Sequence, residues 1–326
     1  MARSIACIIV TFKKPGLLNN CISGVLNQSK KPELLIVVDN NSEDDTKKLC
    51  LELLNTKKVN PIKSKIGEIY SGLTKGISTY YLKKKTNDGG AGGFFDGINF
   101  GLNQTNADYF WLMDDDGVPE RNCLEKLFNN IRLNTILNPI VLDIQNKNYC
   151  SFLKDKKGAR LEYKEIIDKS LSPEINPFNG TFISRDIIER FGNIKKEMFI
   201  WGDEMEYTYR MQKNKISLKT IIDAKHYHPK NKKLEFKKLS FNIFLRKIDN
   251  KYFEYVYYRN RVYNDRKYAV SLKRFKHLIR SALDALCNAI FHLKKGGYNE
   301  AYFILLAVFD GLIGNFKRTL QKNSKS

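Results

Sequence analysis

Three consecutive aspartates, Asp114, Asp115 and Asp116, are the residues whose type and spacing most clearly indicate chemistry. They follow the apolar run 109–113 and precede Gly117, a pattern that predicts a buried strand ending in a cluster of acids. Adjacent carboxylates repel one another, and Mg²⁺ or Mn²⁺ relieves that repulsion by binding their oxygens and bridging them to a phosphate. A solvated turn would explain the acids without a metal. The strand end favours the metal, because open α/β sheets bind ligands beyond the carboxyl ends of their strands.

A second acidic cluster lies in residues 198–207, which read Met-Phe-Ile-Trp-Gly-Asp-Glu-Met-Glu-Tyr and lead into a predicted helix. In this stretch Trp201 could form a flat apolar wall for a sugar ring. Asp203 or Glu204 could accept a proton from an attacking hydroxyl group. The alternative is that the acids only favour the start of the helix through its dipole.

Two of the four histidines, His226 and His228, stand together after a predicted strand at residues 216–222. Histidine is a common ligand of first-row divalent metals, and the end of a strand is a suitable place for one. An isolated surface histidine would carry no such meaning. Because this pair follows two carboxylate clusters, we expect one of the two to contact the metal.

A glycine-rich segment precedes the strand that carries the three aspartates. Residues 87–94 read Asn-Asp-Gly-Gly-Ala-Gly-Gly-Phe and are followed by a predicted helix. Glycines before a helix let backbone N–H groups approach a ligand closely, and a helix N-terminus favours an anion. The segment lacks the Gly-Lys-Ser/Thr ending of a P-loop and differs from the usual dinucleotide fingerprint. A flexible loop is the alternative.

These candidate residues need a scaffold, and the sequence predicts a mostly parallel α/β sheet. Apolar runs at residues 5–10, 34–38 and 77–82 predict buried strands, and helices are predicted after the first two. Residues 179–184 predict a strand that begins at a tight turn, whereas residues 57–76 predict a variable loop. Strands alternating with helices indicate a doubly wound sheet with a nucleotide-type site at its top edge.

Composition limits the class of protein. The 326 residues include 56 Lys+Arg and 35 Asp+Glu, a formal net charge of +21, which indicates a polyanionic partner such as nucleic acid, anionic lipid or a phosphorylated substrate. The six cysteines show no CxxC spacing, which favours reduced thiols in a cytoplasmic protein. No signal peptide is expected, and no run reaches the roughly 18 apolar residues of a membrane-spanning helix.

The C-terminal third has a different pattern. A dense aromatic stretch at residues 252–260 is followed by a predicted amphipathic helix over 273–295, a break at Gly296-Gly297, and a second helix through 302–316. This hairpin could pack on the rest of the chain or on a second subunit. It could also lie on anionic lipid, since basic residues flank its apolar positions.

Taken in order, the motifs resemble those of the inverting family-2 glycosyltransferases with the GT-A fold, in particular the bacterial galactofuranosyl- and rhamnosyltransferase branch. The resemblance covers about residues 4–230. It is carried by Ile-Val-Thr-Phe, Val-Val-Asp-Asn-Asn-Ser, the glycine-rich segment, Asp-Asp-Asp, Phe-Asn-Gly-Thr, Trp-Gly-Asp-Glu-Met-Glu-Tyr and Asp-Ala-Lys-His-Tyr-His. A Tyr-Tyr-Arg-Asn run at residues 257–260 also occurs at this point in that branch.

The resemblance implies roles for individual residues. The metal would be held by Asp114, Asp116 and His228, because the family places its histidine last in an Asp-Ala-x-x-Tyr-His pattern. The general base would be Asp203 or Glu204, and the choice stays open because the family stretch more often reads Asp-Asp. The residues that would bind the nucleotide sugar are Thr11, Asp39, Asn41, Asn87, Gly89, Gly90, Gly92, Asp115 and Trp201.

By the same resemblance, the chain has a catalytic domain over residues 1–230, with a nucleotide-sugar half to about 117 and an acceptor half from about 118. A helical region would follow over 231–326. The reaction would be a metal-dependent single displacement with inversion, with UDP-galactofuranose favoured as donor and dTDP-rhamnose as runner-up. The acceptor would be a glycan or lipid-linked glycan of a cell-surface polysaccharide, such as O-antigen or capsule, at the inner face of the membrane.

Two other classes of protein remain as alternatives. A basic nucleic-acid-binding protein would explain the charge of +21 but not the carboxylate clusters at strand ends. A sugar-phosphate nucleotidyltransferase would need a Gly- and Lys/Arg-rich loop directly after the first strand, and residues 11–15 form a poor one.

Overall fold

The computed structural model describes residues 3–55, 62–63, 65–154, 158–168, 174–230, 236–238, 244–246, 248, 250–268 and 272–318. They group into two compact units. The sheet unit lies within Met1–Lys196 and Arg210–Asn231, and the helical unit lies within Glu197–Tyr209 and Lys232–Ser326.

The sheet unit is built on one large sheet. Its strands are β1 (Ile5–Thr11), β2 (Leu34–Asp39), β3 (Ile62–Lys63), β4 (Gly67–Thr74), β5 (Ile77–Lys84), β6 (Tyr109–Asp114), β7 (Val118–Pro119), β8 (Thr135–Asp143), β9 (Tyr149–Lys154), β10 (Arg160–Glu162), β11 (Asn179–Ser184) and β12 (Ser217–His228). Its helices are α1 (Pro15–Leu26), α2 (Thr46–Leu53), α3 (Gly89–Gln104), α4 (Cys123–Asn130), α5 (Tyr163–Asp168) and α6 (Arg185–Phe191). Helix α7 (Asp203–Lys213) has residues in both units.

The centre of the sheet is parallel, as predicted. Strands run in the order β10-β9-β8-β11-β6-β1-β2-β5-β4-β3, and β6, β1, β2 and β5 pair in parallel. All seven residues of β1 are buried, which is typical of a strand covered on both faces. Strand β11 is antiparallel to its neighbours β6 and β8, whereas β12 lies parallel to β8. The predicted strand at 179–184 is confirmed, and Gly180 at its start has a φ of +84°.

The structure corrects two sequence predictions about this unit. Residues 67–74, expected to lie in a variable loop, form β4, which pairs antiparallel with β5 along its whole length. Residues 57–61 of that expected loop lie outside the described residues. The strand expected at 216–222 continues to His228, because a register shift between Ile221 and Lys225 lets pairing with β8 resume.

The helical unit contains the predicted C-terminal hairpin. Its elements after α7 are β13 (Phe236–Lys238), β14 (Phe244–Arg246), α8 (Lys251–Lys267), α9 (Leu272–Lys294) and α10 (Tyr298–Ile313). The aromatic stretch forms α8, whose Tyr255 and Tyr258 pack with the alanines of α9 and with Ile304 of α10. Among the described residues, no helix is both long enough and apolar enough to cross a membrane. All six cysteines are free thiols.

Candidate active site

The carboxyl ends of three neighbouring strands bring predicted site residues together in the sheet unit. Thr11 ends β1 opposite Asp39 on β2, and Val10 pairs with Asp114 at the end of β6. Because these strands are parallel, the side chains that follow them meet at one edge of the sheet. The three aspartates therefore lie where the sequence pattern predicted a ligand site.

Asp115 is anchored to the end of β1. Its Oδ2 accepts hydrogen bonds from Thr11 Oγ1 at 2.7 Å and from the Phe12 backbone N at 3.3 Å. Its Oδ1 lies 3.3 Å from Lys14 Nζ. Asp115 is only 3 % exposed, so these contacts replace the water that the carboxylate has lost.

Asp116 is held between two cationic side chains. Lys14 Nζ donates to its Oδ2 at 2.9 Å, and His228 Nε2 lies 2.9 Å from its Oδ1. Protonated His228 can donate to this buried oxygen, so the contact is a charge-assisted one. His228 also has Nδ1 at 2.6 Å from the Pro229 carbonyl oxygen, a contact that fixes the ring.

The electrostatics of the cluster differ from one acid to the next. Burial, with the negative charges of Asp116 and Asp115, raises the pKa of Asp114 to about 8. Burial alone would also raise the pKa of Asp116, but His228 and Lys14 outweigh it and hold that pKa well below its usual range. For His228, burial opposes the charged form, yet Asp116 prevails and raises the pKa of the imidazole. The cluster therefore demands positive charge.

The donor set fits a divalent cation. Among the described side chains, no group of three or more His, Cys, Asp or Glu is already arranged as a metal site. The carboxylates of Asp114 and Asp116 and the imidazole of His228 nevertheless offer the hard oxygen and nitrogen donors that Mg²⁺ or Mn²⁺ accepts. The raised pKa of Asp114, caused by burial and by the charges of Asp116 and Asp115, is what a nearby cation would relieve.

The two histidines have different surroundings, and both lie within β12 rather than after it. His226 is fully buried, both of its ring nitrogens lack a hydrogen-bond partner, and burial lowers its pKa to about 3. A Cβ on Gly117 would lie 2.0 Å from His226 Nε2, so the neutral ring fills the space that this glycine leaves. His228 is the one that contacts Asp116.

Asp39 and Asn41 lie at the end of β2. Asp39 is fully buried, and its carboxylate accepts from Ser42 N at 2.8 Å and from Tyr81 Oη at 2.5 Å. Both carboxylate oxygens of Asp39 therefore bind protein groups, and the bond to Ser42 N stabilises the loop after β2. Asn41 has a φ of 65° and is half-buried, whereas Asn40 donates to the carbonyl oxygen of Gly89 at 2.9 Å.

The predicted glycine loop is in fact the first two turns of α3. Gly93, Gly97 and Gly101 recur every four residues, and a Cβ on them would lie 2.4, 2.7 and 2.5 Å from side chains of Val10, Ile8 and Phe110. These glycines let the helix approach the sheet closely.

The glycines at the start of α3 differ in conformation and in the space around them. Gly89 has a φ of +73°, and Asn87 Oδ1 accepts from its backbone N at 2.9 Å. A Cβ on Gly92 would meet Asp88, whereas a Cβ on Gly90 would meet nothing within 4 Å. Of these positions, Gly90 has the open space that a ligand at the helix N-terminus would need.

Sequence reasoning missed two lysines near these elements. Lys14 is the cation that joins Asp115 to Asp116. Lys84, with its side chain 2 % exposed, lies 2.6 Å from Asp96 and 3.0 Å from Asp88 at the start of α3. Neither position carries a motif, and only the pairing of β1, β2 and β5 brings these charges to the strand ends.

In the helical unit, the segment before α7 has a constrained backbone. Phe199 and Trp201 have φ values of 67° and 57°, and Gly202 has one of +106°. Left-handed conformations cost non-glycine residues about 1–3 kcal/mol each, so they persist only where surrounding contacts fix them. Trp201 is half-buried, with its ring centroid 5.8 Å from that of Phe253.

Two asparagines of α8 supply those contacts. Asn260 Nδ2 donates to the carbonyl oxygens of Met198, Ile200 and Trp201 at 2.8, 3.1 and 2.7 Å. Asn264 Nδ2 donates to the Gly202 carbonyl oxygen at 2.7 Å. The Arg259 guanidinium donates to Asn260 Oδ1 at 2.9 and 3.1 Å, which turns the amide nitrogen toward the carbonyls. The Tyr-Tyr-Arg-Asn run was the sequence signal, but its function as a backbone clamp was not predicted.

The two candidate bases start α7. Asp203 is 5 % exposed, whereas Glu204 is half-buried and its Oε2 accepts from the Gly202 backbone N at 2.9 Å. Glu206 is buried and accepts from Tyr268 Oη at 2.6 Å, a structural contact. The hydrogen bonds that clamp residues 198–202 therefore fix the start of α7, from which both candidate carboxylates project.

Comparison with known proteins identifies the family. The sequence profile of glycosyl transferase family 2 matches residues 6–189. Galactofuranosyltransferase GlfT1 of Mycolicibacterium smegmatis is 27 % identical over 236 residues, 69 % of this chain and 70 % of its own length. GlfT1 of Mycobacterium tuberculosis is 28 % identical over 237 residues, 70 % of this chain and 71 % of its own length.

A solved structure supports the fold. The mannosyltransferase PcManGT of Pyrobaculum calidifontis, in complex with GDP-Man and Mn²⁺, superposes with a TM-score of 0.52 at 12 % identity, covering 95 % of this chain and 88 % of that one. This likeness confirms the predicted GT-A fold class, a mostly parallel sheet with additional C-terminal helices. The chain belongs to glycosyl transferase family 2 and is a glycosyltransferase.

Proposed function

We propose that this glycosyltransferase moves galactofuranose from UDP-galactofuranose to a hydroxyl group of a glycan or lipid-linked glycan, with inversion and with a divalent metal. The observation that carries the proposal is the acid cluster at the ends of β1 and β6, where Asp116 lies 2.9 Å from both Lys14 and His228. The identity of the GlfT1 relatives supports the choice of sugar.

In the proposed reaction, the bond between the anomeric carbon and the diphosphate oxygen breaks, and its electron pair leaves on the diphosphate. The acceptor oxygen forms the new bond from the opposite face and loses its proton to a carboxylate. A bound Mn²⁺ or Mg²⁺, held by Asp114, Asp116 and His228, would supply charge neutralisation for the leaving group. No covalent sugar–enzyme intermediate is required.

The chain's own residues have separate tasks in this scheme. Thr11 and Lys14 hold Asp115 and keep the carboxylates oriented at the strand ends. The first turn of α3 would receive the donor diphosphate at Gly90, where there is open space, while Asn87 Oδ1 holds the backbone N–H of Gly89.

The start of α7 serves the acceptor. Glu204 is our choice of general base, because it is half-buried while Asp203 is 5 % exposed, and a base needs access to the acceptor hydroxyl. Trp201 provides an apolar face for a sugar ring. We assign the catalytic function to residues 1–230 together with the asparagines of α8 that hold residues 198–202. The product would be a cell-surface polysaccharide assembled at the inner face of the membrane.

The test is a donor screen with the full-length protein. Thermal stability is measured with UDP-galactofuranose, UDP-galactopyranose, dTDP-rhamnose and GDP-mannose, each with and without Mn²⁺, and turnover is followed with a short galactofuranose-containing acceptor. We expect UDP-galactofuranose with Mn²⁺ to give the largest stabilisation and a product of inverted anomeric configuration by NMR. Preferential use of dTDP-rhamnose would refute the donor, and turnover undiminished by a chelator would refute the metal.

A further inference from the structure

Helices α9 and α10 present their large apolar side chains to solvent. On α9 six such residues are 43–51 % exposed: Phe275, Ile279, Leu283, Leu286, Ile290 and Leu293. On α10 six more are 40–72 % exposed: Tyr298, Tyr302, Leu305, Phe309, Leu312 and Ile313. Steps of three and four residues place each set on one face of its helix. Such contiguous apolar surface marks an interaction site.

The buried side of α9 is polar and small, the reverse of an ordinary surface helix. Asp284 forms an ion pair with Arg261 of α8 at 2.9 Å, and Ser281 donates to Asp265. Asn288 and Ala289 are also buried. These polar contacts fix the rotation of α9 about its axis. Turning the apolar face inward would break the ion pair and leave the Arg261 guanidinium without its carboxylate partner.

The charge around this apolar face has one sign. Residues 275–318 are all described, and their exposed Lys and Arg side chains are Lys276, Arg280, Lys294, Lys295, Lys317 and Arg318, of which Arg318 pairs with Asp310 at 2.6 Å. The acids in the same range are Asp284 and Asp310, which are 3 % and 0 % exposed, and Glu300, which is half-buried. The side chains of Lys273 and Arg274, expected from the sequence to add to this charge, lie outside the described residues.

We propose that the face formed by α9 and α10 inserts into the headgroup region of an anionic lipid bilayer. Lipid tails accept the twelve apolar side chains, and anionic headgroups pair with the basic side chains next to them. A second copy of the chain is the less suitable occupant, because it would bring a basic surface with no exposed acid against another of the same sign. Basic residues flank the apolar positions of both helices, and apolar insertion would contribute most of the binding free energy.

The test is flotation of the full-length protein with vesicles of phosphatidylcholine alone or mixed with phosphatidylglycerol. The face variant is Ile279→Ser, Leu286→Ser and Phe309→Ser. The matched control is Leu73→Ser, Leu133→Ser and Ile167→Ser, which removes three apolar side chains that are 50–84 % exposed in the sheet unit. We expect the wild type and the control to float with the mixed vesicles, and the face variant to lose about tenfold or more in partition coefficient.

Two further measurements separate lipid from other occupants. A Phe309→Trp reporter should shift its emission to the blue and be quenched by brominated lipid. Light scattering gives the oligomeric state of the wild type and the face variant without vesicles. Unchanged flotation of the face variant would overturn the proposal. So would a wild-type dimer that becomes monomeric in the face variant and binds no vesicles, which would assign the face to a second copy.

The basic residues are tested separately. The triple change Lys276→Glu, Arg280→Glu and Lys294→Glu should remove the preference for anionic over neutral vesicles. High salt should lower binding of the wild type without abolishing it, because apolar insertion is not screened. Complete release by salt would mean that the apolar face stays out of the bilayer and would refute insertion.

Discussion

The strand ends of the sheet unit and the segment before α7 in the helical unit hold their polar groups in place by different means. At the strand ends, charge is balanced by charge: Lys14 and His228 flank Asp116. Before α7, the neutral amides of Asn260 and Asn264 bind backbone carbonyls. A cationic side chain that balances a carboxylate can be replaced there by a bound cation. An amide that binds backbone carbonyls instead keeps one backbone conformation. In the proposed reaction, the first arrangement would suit a cation and a diphosphate that bind and leave, and the second would suit a base that keeps its position.

The largest effect is expected from breaking the charge balance. Asp116→Asn and Asp114→Asn each remove a carboxylate from the cluster and should reduce transfer by about 10³-fold or more, since metal-based charge stabilisation is worth several kcal/mol. Folding should be preserved, because the variants also remove charge repulsion. Turnover and Mn²⁺ binding by calorimetry are the measurements.

The control for this prediction is Asp186→Asn on α6, an exposed acid that pairs with Arg190 on its own helix. It should leave both turnover and Mn²⁺ binding unchanged. Wild-type activity in either cluster variant would exclude the proposed role of that aspartate.

The next effect concerns the base. Glu204→Gln and Asp203→Asn preserve shape and remove proton acceptance, so the true base should lose about 10²–10⁴-fold in kcat with donor affinity nearly unchanged. We expect Glu204→Gln to show this loss and Asp203→Asn to show a smaller one. Near wild-type turnover in both variants would place the base elsewhere.

Breaking the clamp should have an intermediate effect. Asn260→Asp replaces two N–H donors by an oxygen that faces three carbonyl oxygens, and should lower kcat about 10- to 100-fold through misplacement of α7. Donor affinity should change little, because the strand ends are untouched. Asn264→Ala is the comparison, since it frees only the Gly202 carbonyl and should cost less.

A stability measurement separates positioning from unfolding. Leaving buried carbonyls unsatisfied costs about 1–3 kcal/mol, so the melting temperature of Asn260→Asp should fall while the folded protein keeps wild-type donor affinity. A joint loss of donor affinity and kcat would mean general unfolding instead of displacement of the base.

Features that depend on short-range signals could be predicted from the sequence, whereas features that depend on distant contacts could not. The strand leading to Asp114 and the helix starting at Asp203 were predictable, because local periodicity and strand-end acids are short-range signals. Strand β4 was missed because its pairing with β5 depends on tertiary context and its sequence is rich in residues that favour loops. The function of Asn260 could not be predicted, because the clamp joins residues about sixty positions apart.

The glycine-rich segment shows most clearly what could not be predicted from the sequence. Substitutions in it are expected to have the smallest effect on transfer. Its glycines were interpreted as a ligand loop, yet Gly93 belongs to α3 and lies against β1. A Cβ there would be 2.4 Å from Val10 Cγ1 and 2.9 Å from Asn40 Nδ2, so Gly93→Ala should destabilise the protein by about 1–3 kcal/mol through overpacking.

Gly90 is the matched comparison within the same two turns of helix. A Cβ at Gly90 meets nothing within 4 Å, so Gly90→Ala should leave the melting temperature unchanged or raise it slightly, since alanine favours the helix by up to about 1 kcal/mol. If the first turn of α3 receives the donor diphosphate, the added methyl group should weaken donor binding a few-fold while stability holds. Thermal unfolding with and without UDP measures both quantities at once. Equal donor affinity in Gly90→Ala and the wild type would limit this segment to packing, and equal stability in Gly93→Ala would show that α3 can move away from β1.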